Sequence, residues 1–179
     1  MHIIIDGYNV IRQSDALRRF ERSSLETGRN ALIHRVSLYK KIKGHPVTIV
    51  FDGWDGGSAT EQRDRQEGIE IIFSPRGEKA DEVIKRMAAT RNKETIVVTS
   101  DRDIADYVNH GRGTAISSQE FEIIMDRIIA AAEAPNRYVQ TGGKDQKQYE
   151  EEDDDRKKKG ASRRLSRKKK AIRAALHKL

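Results

Sequence analysis

The sequence predicts an α/β domain in which a central, mainly parallel β-sheet is flanked by helices on both faces, followed by a charged C-terminal tail. Three observations lead to this prediction. Short apolar runs alternate with segments of helical periodicity, the order expected when helices connect parallel strands. Several of these runs end on an aspartate, and the lysines and arginines accumulate after residue 150.

Five short apolar runs predict the strands. The first, HIIID, is too short to form an isolated helix, so it indicates a buried strand, and the later runs have the same character. The predicted strands span residues 2–6, 47–52, 69–74, 95–101 and 114–117.

Helices are predicted between and after these strands. The longest covers residues 27–43, where Leu32, Val36 and Tyr39 fall on one face at spacings of four and three. The glycine-rich polar stretch 53–68 predicts a loop. The other predicted helices span residues 14–24, 79–91, 102–111 and 118–133.

The C-terminal tail carries the net charge of the chain. Residues 151–179 contain 12 Lys or Arg and 5 Asp or Glu, which accounts for the whole net charge of +7. Residues 1–150 are therefore neutral. A cationic segment attached to a neutral domain attracts phosphate polymers such as RNA, or acidic membrane surfaces.

Composition also divides the chain into segments. After Pro135 apolar residues become scarce and two opposed charge blocks follow each other, which predicts a flexible linker. Near the end, Leu165, Ile172, Leu176 and Leu179 recur at helical spacing. We expect a folded domain at 1–135, a charged flexible linker at 136–160 and a basic amphipathic tail capable of forming a helix at 161–179.

The composition excludes several classes of protein. The chain contains no cysteine, which rules out disulfides and cysteine-based zinc sites and fits a reducing cytosol. Its N-terminus lacks the pattern of a signal peptide, and no apolar run approaches the roughly 20 residues that span a bilayer. We therefore expect a cytoplasmic protein without a membrane partner.

Acidic residues follow three of the predicted strands. Asp6, Asp52 and Asp101 end their strands, and Asp81 opens the helix after the third strand. The carboxyl ends of parallel strands meet at one edge of a sheet, so these carboxylates converge there. Neighbouring carboxylates resist ionising together, and a divalent cation is the usual counter-charge. Oxygen ligands without Cys or grouped His suit Mg²⁺ or Mn²⁺ rather than zinc.

Each of these acids also has a simpler explanation. An aspartate after a strand is often a helix N-cap, and Asp101 is placed to cap the next helix. Asp81 and Glu82 match the favourable charge at a helix N-terminus. Their number in one sheet, together with the segment DGYN, favours a shared site. We expect Gly7 to let the chain turn sharply and Asn9 to hydrogen-bond toward the same edge.

Four segments occur in this order: IIIDGYNVI, VTIVFDG, GEKADEVIKRM and IVVTSDRDIADYV. Together they resemble the bacterial YacP-like family of NYN-domain ribonucleases, within the PIN-like nuclease group. The match covers about residues 1–135. The resemblance implies a three-layer domain and metal-dependent endonucleolytic cleavage of RNA, with mRNA on the ribosome as one substrate. It also implies products with 5′-phosphate and 3′-hydroxyl ends.

The resemblance further implies roles for individual residues. Those implied to take part in catalysis are Asp6, Asn9, Asp81, Asp101 and Asp103, and those implied to bind one or two Mg²⁺ or Mn²⁺ ions are Asp6, Asp52, Asp81 and Asp101. Glu78 or Glu82 would assist Asp81. Asp52 and Asp103 have a structural role as the alternative.

Several basic and aromatic residues are candidates for contact with RNA. The basic ones are Arg12, Arg29, Lys79 and Arg102 near the strand ends, and Lys168 and Lys169 in the tail. Solvated surface positions explain the four near the strand ends equally well, and a solubilising extension is the alternative for the tail. Tyr8 and Trp54 are candidates for stacking on bases. The expected partners are mRNA or rRNA and the ribosome.

Other acidic-edge folds fit less well. Toprim domains need a glutamate where this chain has Asp6, and haloacid dehalogenase phosphatases need an aspartate where it has Tyr8. Receiver domains need a lysine after a late strand, which TAISSQ does not supply. The five histidines form no recognisable pair for a mechanism through the 2′-hydroxyl. A non-catalytic RNA-binding or ribosome-associated factor is the alternative from a different class.

Overall fold

The computed structural model describes residues 1–53, 58–90 and 94–133, together with residues 172, 174, 176, 178 and 179. Strands and helices alternate along most of the chain. In chain order the elements are β1 (His2–Asp6), α1 (Gly7–Gln13), α2 (Asp15–Glu21), α3 (Leu25–Lys43), β2 (Val47–Phe51), β3 (Gln62–Gln66), β4 (Ile69–Phe73), α4 (Ala80–Thr90), β5 (Thr95–Val98), α5 (Arg102–His110), β6 (Thr114–Ile116) and α6 (Ser118–Glu133).

The strands form one six-stranded sheet in the order β3-β4-β2-β1-β5-β6. All neighbouring pairs are parallel except β3 and β4. This arrangement confirms the predicted α/β class with a mainly parallel sheet. The chain leaves β1 toward β2 on one side and later returns to β5 on the other, so the carboxyl ends of β1 and β5 flank a topological switch point. Open parallel sheets bind their ligands at such crevices.

Two layers of helices cover the sheet. Ile3 and Ile5 of β1 point into a core shared with α1, α2, α3 and α6. Ile4 points the opposite way, into a core shared with α4 and α5. Alternation along a strand sends neighbouring side chains to opposite faces, which is why an unbroken isoleucine run marks a strand buried on both sides.

Two elements differ from the sequence-based expectation. Strand β3 lies in the stretch that was predicted as a loop. The sequence does not reveal this strand because QRDRQ is exposed at all five positions and contains no apolar residue. Its place is set by backbone pairing with β4, for example Arg63 opposite Ile72. Helix α1 follows β1 directly, where no helix was expected, since a seven-residue helix is too short to show periodicity.

The described C-terminal positions lie against the domain. Ile172, Leu176 and Leu179 pack on the core that β1 shares with α1, α2, α3 and α6, and the side chain of Leu179 is buried. The carbonyl oxygen of Lys178 lies 3.1 Å from His45 Nε2, and its Nζ is 2.6 Å from Glu94 Oε1. The predicted linker at 136–160 lies outside the described residues, as does the tail between 161 and 171. No helix in the described part of the chain is both long and apolar enough to cross a membrane.

The expectation that Gly7 allows a sharp turn is wrong, because close packing is what requires a glycine at this position. It is the first residue of α1, and among the described glycines a positive φ occurs at Gly44, Gly68 and Gly77. A Cβ atom at position 7 would lie within 2.9 Å of three carbon atoms in the ring of Phe51, which is fully buried. The absent side chain therefore lets α1 start against the end of β2.

Replacing Gly7 by alanine should destabilise the fold by about 1–3 kcal/mol, because the buried Phe51 ring has to move. Gly44→Ala is the matched control: its Cβ meets nothing within 4 Å, and its φ of 72° should cost about 1 kcal/mol. Chemical denaturation of both variants measures the difference. A Gly7→Ala variant as stable as the wild type would show that the ring has room to shift.

Candidate active site at the carboxyl edge of the sheet

Asp6 ends the central strand and is 8% exposed. Its Oδ2 accepts a hydrogen bond from the Thr99 hydroxyl at 3.0 Å, and its Oδ1 accepts one from the backbone N–H of Asn9 at 3.3 Å. It forms no ion pair within the described residues. Burial, opposed in part by these hydrogen bonds, raises the pKa of Asp6 to about 6. The negative charges of Asp81 and Asp52 contribute to this rise.

Asn9 links the first strand to the loop that carries Asp101. Its Oδ1 accepts hydrogen bonds from the backbone N–H of Ser100 at 2.9 Å and from the hydroxyl of Ser118 at 2.8 Å. Ser118 is buried and begins α6. The Asn9 side chain thus holds the β5–α5 loop and the start of α6 beside Asp6, which makes it a positioning residue.

Asp101 caps α5 while keeping one carboxylate oxygen available. Its Oδ1 accepts the backbone N–H groups of Asp103 and Ile104 at 2.7 and 3.3 Å. Its own N–H donates to the Thr99 hydroxyl oxygen at 3.1 Å, so Thr99 joins Asp101 to Asp6. Within the described chain, Oδ2 of Asp101 accepts no hydrogen bond.

Asp52 likewise accepts a hydrogen bond at the start of a helix, in this case α4. Its Oδ1 accepts the backbone N–H of Ala80 at 2.5 Å, which fixes the start of the helix that carries Asp81. In the part of the chain that the structure describes, its Oδ2 is not hydrogen-bonded. The side chain of Asp81 is likewise without a hydrogen bond or ion pair there. The simpler explanation is thus correct for Asp6 and Asp101, which are the N-caps of α1 and α5, whereas Asp52 accepts its hydrogen bond from a helix that starts 28 positions later.

The pKa values of Asp6 and Asp81 both respond to the negative charges of neighbouring acids. The pKa of Asp81 is raised, first by burial and then by the charges of Asp101 and Asp52. The charges of Lys85 and Lys79 act in the opposite direction. A cleft of about 430 Å³ lies beside Asp52 and Asp81, between the end of β2 and the start of α4. Its lining consists of Asp52, Gly53, Gly77, Glu78, Lys79 and Asp81.

The other acidic candidates are less involved. The side chain of Asp103 is exposed and makes no hydrogen bond or ion pair with any described residue. Glu78 forms an ion pair with Arg86, and Glu82 forms one with Lys85 at 3.3 Å.

The basic candidates fall into three groups. Arg12 and Arg29 both contact Tyr8, next to Asp6. Lys79 and Arg102 are exposed near the starts of α4 and α5. Lys168, Lys169 and the aromatic candidate Trp54 lie outside the described residues.

The donor chemistry of this edge fits a hard divalent cation. Asp6, Asp52, Asp81 and Asp101 offer oxygen atoms only. Burial and the negative charges of neighbouring acids raise the pKa of Asp6 and of Asp81. Among the described residues, however, no three acidic or imidazole side chains stand in an arrangement that could already hold a metal ion. A cation here would have to draw the carboxylates together.

Thr99, Ser100 and Ser118 were missed by the sequence analysis. Small hydroxyl residues are common in loops, and nothing in the sequence pairs Thr99 with Asp6, 93 positions away. The only available signal was the position of Thr99 and Ser100 between a predicted strand and Asp101.

Comparisons with known proteins agree with the resemblance found in the sequence. Residues 3–176 match the family described as the YacP-like NYN domain. The chain is similar to the uncharacterized protein YacP of Bacillus subtilis (strain 168), with 31% identity over 102 residues. That alignment covers 55% of this chain and 59% of the relative's length.

Solved structures give a similar result. The crystal structure of Rae1 (YacP) from Bacillus subtilis matches with a TM-score of 0.62 and 27% identity, over 74% of this chain and 78% of that one. The crystal structure of a mutant of the same Bacillus subtilis protein matches with a TM-score of 0.63 and 25% identity, over 74% and 79% of the two chains.

The raised pKa of Asp6 predicts how stability changes with pH. The folded state keeps the proton of Asp6 to about pH 6 and the unfolded state loses it near 3.8, so stability falls as pH rises through this window. Asp6→Asn removes the buried charge. It should therefore raise the free energy of unfolding at neutral pH by about 1–3 kcal/mol, and by much less near pH 4.

Denaturation of both proteins at the two pH values tests this. The control is Asp64→Asn, an exposed acid on β3, which should give no gain at neutral pH. A fully exposed Asp6 would show itself as equal stability of Asp6→Asn and wild type at both pH values. A cation-paired Asp6 would show itself as an Asp6→Asn variant less stable than the wild type at neutral pH.

Proposed function

Because this chain belongs to the YacP-like NYN domain family, we propose that it is a cytoplasmic, metal-dependent endoribonuclease that hydrolyses RNA phosphodiester bonds, with mRNA on the ribosome as its candidate substrate. Family membership supports a nuclease or RNA-related role. The cation, the substrate and the ribosome as partner are parts of the proposal.

One observation carries it: the buried carboxylate of Asp6 lies within electrostatic reach of Asp81 and Asp52, and Asp81 within reach of Asp101. Four acids from different parts of the chain lie at one edge, and among the described residues no arginine forms an ion pair with them. Burial and like charges oppose the ionisation of Asp6 and Asp81, so placing these two carboxylates there costs folding free energy. Perturbed acids of this kind mark functional sites.

The residues of the chain have distinct tasks in the proposed reaction. Asp6, Asp81 and Asp101 would hold Mg²⁺ or Mn²⁺, with Asp52 as a further oxygen ligand. When bound, such a cation neutralises charge on the phosphoryl group and acidifies a nearby water molecule. Thr99 keeps the carboxylate of Asp6 in place.

The basic residues near the acids handle the substrate. Lys79 lies near enough to Asp81 to lower its pKa, so its ammonium group is placed to offset phosphate charge at the cleft. Arg12, Arg29 and Arg102 would contact the RNA backbone. These basic side chains reduce the repulsion between the acids and the RNA phosphates, so the RNA can approach the site.

A non-catalytic RNA-binding or ribosome-associated factor remains the second candidate. The observation that favours it is the absence, within the described residues, of three acids already arranged around a cation position. Cleavage in the presence of a divalent cation separates the two functions, because a factor would bind RNA and leave it intact.

Asp6→Asn and Asp81→Asn should each lower the rate of RNA cleavage by at least about a hundredfold, since each removes a proposed cation ligand. The assay incubates end-labelled RNA with the protein in Mg²⁺ or Mn²⁺, and EDTA should abolish cleavage. The products should carry 5′-phosphate and 3′-hydroxyl ends.

Asp64→Asn serves as the matched control and should cleave at the wild-type rate. Thermal unfolding with and without Mn²⁺ gives a readout independent of activity: the cation should raise the melting temperature of the wild type more than that of Asp6→Asn. Wild-type cleavage by Asp6→Asn in Mg²⁺ would refute this site assignment.

The tail is tested by neutralising charge, because deletion would also remove Ile172, Leu176 and Leu179 from the core. Replacing Lys168 and Lys169 with glutamine should weaken RNA binding at low salt. The slope of log affinity against log salt should fall by about 0.7 per lysine that contacts single-stranded RNA. Unchanged affinity and slope would leave these lysines without a role in binding.

A further inference from the structure

A row of three aromatic rings lies beside the acidic edge, the carboxyl edge of the sheet where Asp6, Asp52, Asp81 and Asp101 lie. The rings of Tyr8 and Phe51 meet edge to face with centroids 5.1 Å apart, and Phe51 stacks on Phe73 at 5.7 Å. Tyr8 comes two residues after the end of β1, whereas Phe51 and Phe73 are the last residues of β2 and β4. This aromatic row therefore follows the same carboxyl edge that carries Asp6.

Two arginines contact the aromatic row in different electrostatic situations. The guanidinium of Arg12 lies 5.4 Å from the ring centroid of Tyr8, and it pairs with Glu21 at 3.7 Å. The guanidinium of Arg29 lies 5.5 Å from the ring centroid of Phe73. Its Nη1 donates to the hydroxyl oxygen of Tyr8 at 2.9 Å. Within the described residues Arg29 has no carboxylate partner, so its charge is not neutralised.

The surroundings of Arg29 fix its guanidinium before a ligand arrives. The residue is half-buried, and the contact with Phe73 and the hydrogen bond to Tyr8 restrict its orientation. Only one of its N–H groups is used by Tyr8, so others remain for a ligand. A guanidinium matches the geometry of a phosphate with two parallel hydrogen bonds, and prior ordering reduces the entropy lost on binding.

We propose that Arg29 is the residue that binds a backbone phosphate of the RNA beside the acidic edge, and that Tyr8 positions Arg29 through its hydroxyl group. This inference rests on the proposed function, because it takes RNA as the substrate. Tyr8 then acts through Arg29 and not as a platform for a base, since its ring is already in contact with Phe51 and Arg12. Arg12, which is partly neutralised by Glu21, contributes less than Arg29.

The test measures binding of a fluorescently labelled single-stranded RNA oligonucleotide in EDTA, which prevents cleavage. Arg29→Gln keeps much of the side-chain length and an N–H donor for Tyr8 but removes the charge. It should bind about tenfold more weakly, with a salt slope smaller by about 0.7. Tyr8→Phe keeps the ring and loses the hydroxyl, and it should bind about threefold more weakly.

The double variant distinguishes positioning from independent contact. Because Tyr8 acts through Arg29, Tyr8→Phe combined with Arg29→Gln should bind within about twofold of Arg29→Gln alone. In cleavage assays the Arg29→Gln variant should raise KM and leave kcat within about twofold. Arg65→Gln is the matched control: Arg65 is exposed on β3, has no ion pair within the described residues, and should behave as wild type.

The outcomes separate this inference from the function on which it rests. A wild-type protein that binds no RNA in EDTA and cleaves none in Mg²⁺ or Mn²⁺ overturns both. A wild-type protein that binds RNA, with Arg29→Gln equal to it in affinity and salt slope, overturns the role of Arg29 alone. Additive effects of the two substitutions overturn the role of Tyr8. If Arg29→Gln does not fold, Arg29→Lys keeps the charge without the planar fork and should still bind about threefold more weakly.

Discussion

The burial of the Asp6 carboxylate at the end of the central strand is the constraint on which the rest of the site depends. A buried carboxylate without a cationic partner is held by neutral hydrogen bonds, and here Thr99 and the backbone of Asn9 supply them. Those bonds limit the cost of burial without removing it, so the pKa of Asp6 stays well above its ordinary value. The fold therefore keeps the carboxylate of Asp6 at this edge, where a cation or a proton can neutralise its charge.

The acids at this edge serve structure and chemistry with different atoms. In both Asp52 and Asp101 one oxygen caps or fixes a helix start, and the other is left without a hydrogen bond in the described chain. A cap needs only one acceptor. The capping interaction therefore orients the carboxylate and leaves its second oxygen for a ligand. This dual use explains why cap and ligand cannot be separated as alternatives from sequence alone.

The sequence predicted the parts of the molecule that rest on apolar pattern. The strands at Asp6, Asp52 and Asp101 were visible because Ile and Val runs precede each acid, and their convergence follows from parallel pairing. Strand β3 was missed because backbone pairing alone places it. Tertiary contacts such as Asn9 with Ser118 join residues 109 positions apart and leave no local signal. Gly7 was recognised as special for the wrong reason, since its neighbour Phe51 is distant in sequence.

Phe51 connects the acidic edge to the basic residues next to it. Its ring fills the space that a side chain at position 7 would need, so it sets how closely α1 follows Asp6. The same ring contacts Tyr8 and Phe73, and these two residues hold the guanidinium of Arg29. Because close-packed rings transmit displacement with little compliance, a shift of Phe51 would move both partners. The contacts that orient Arg29 are therefore linked through Phe51 to the helix that follows Asp6.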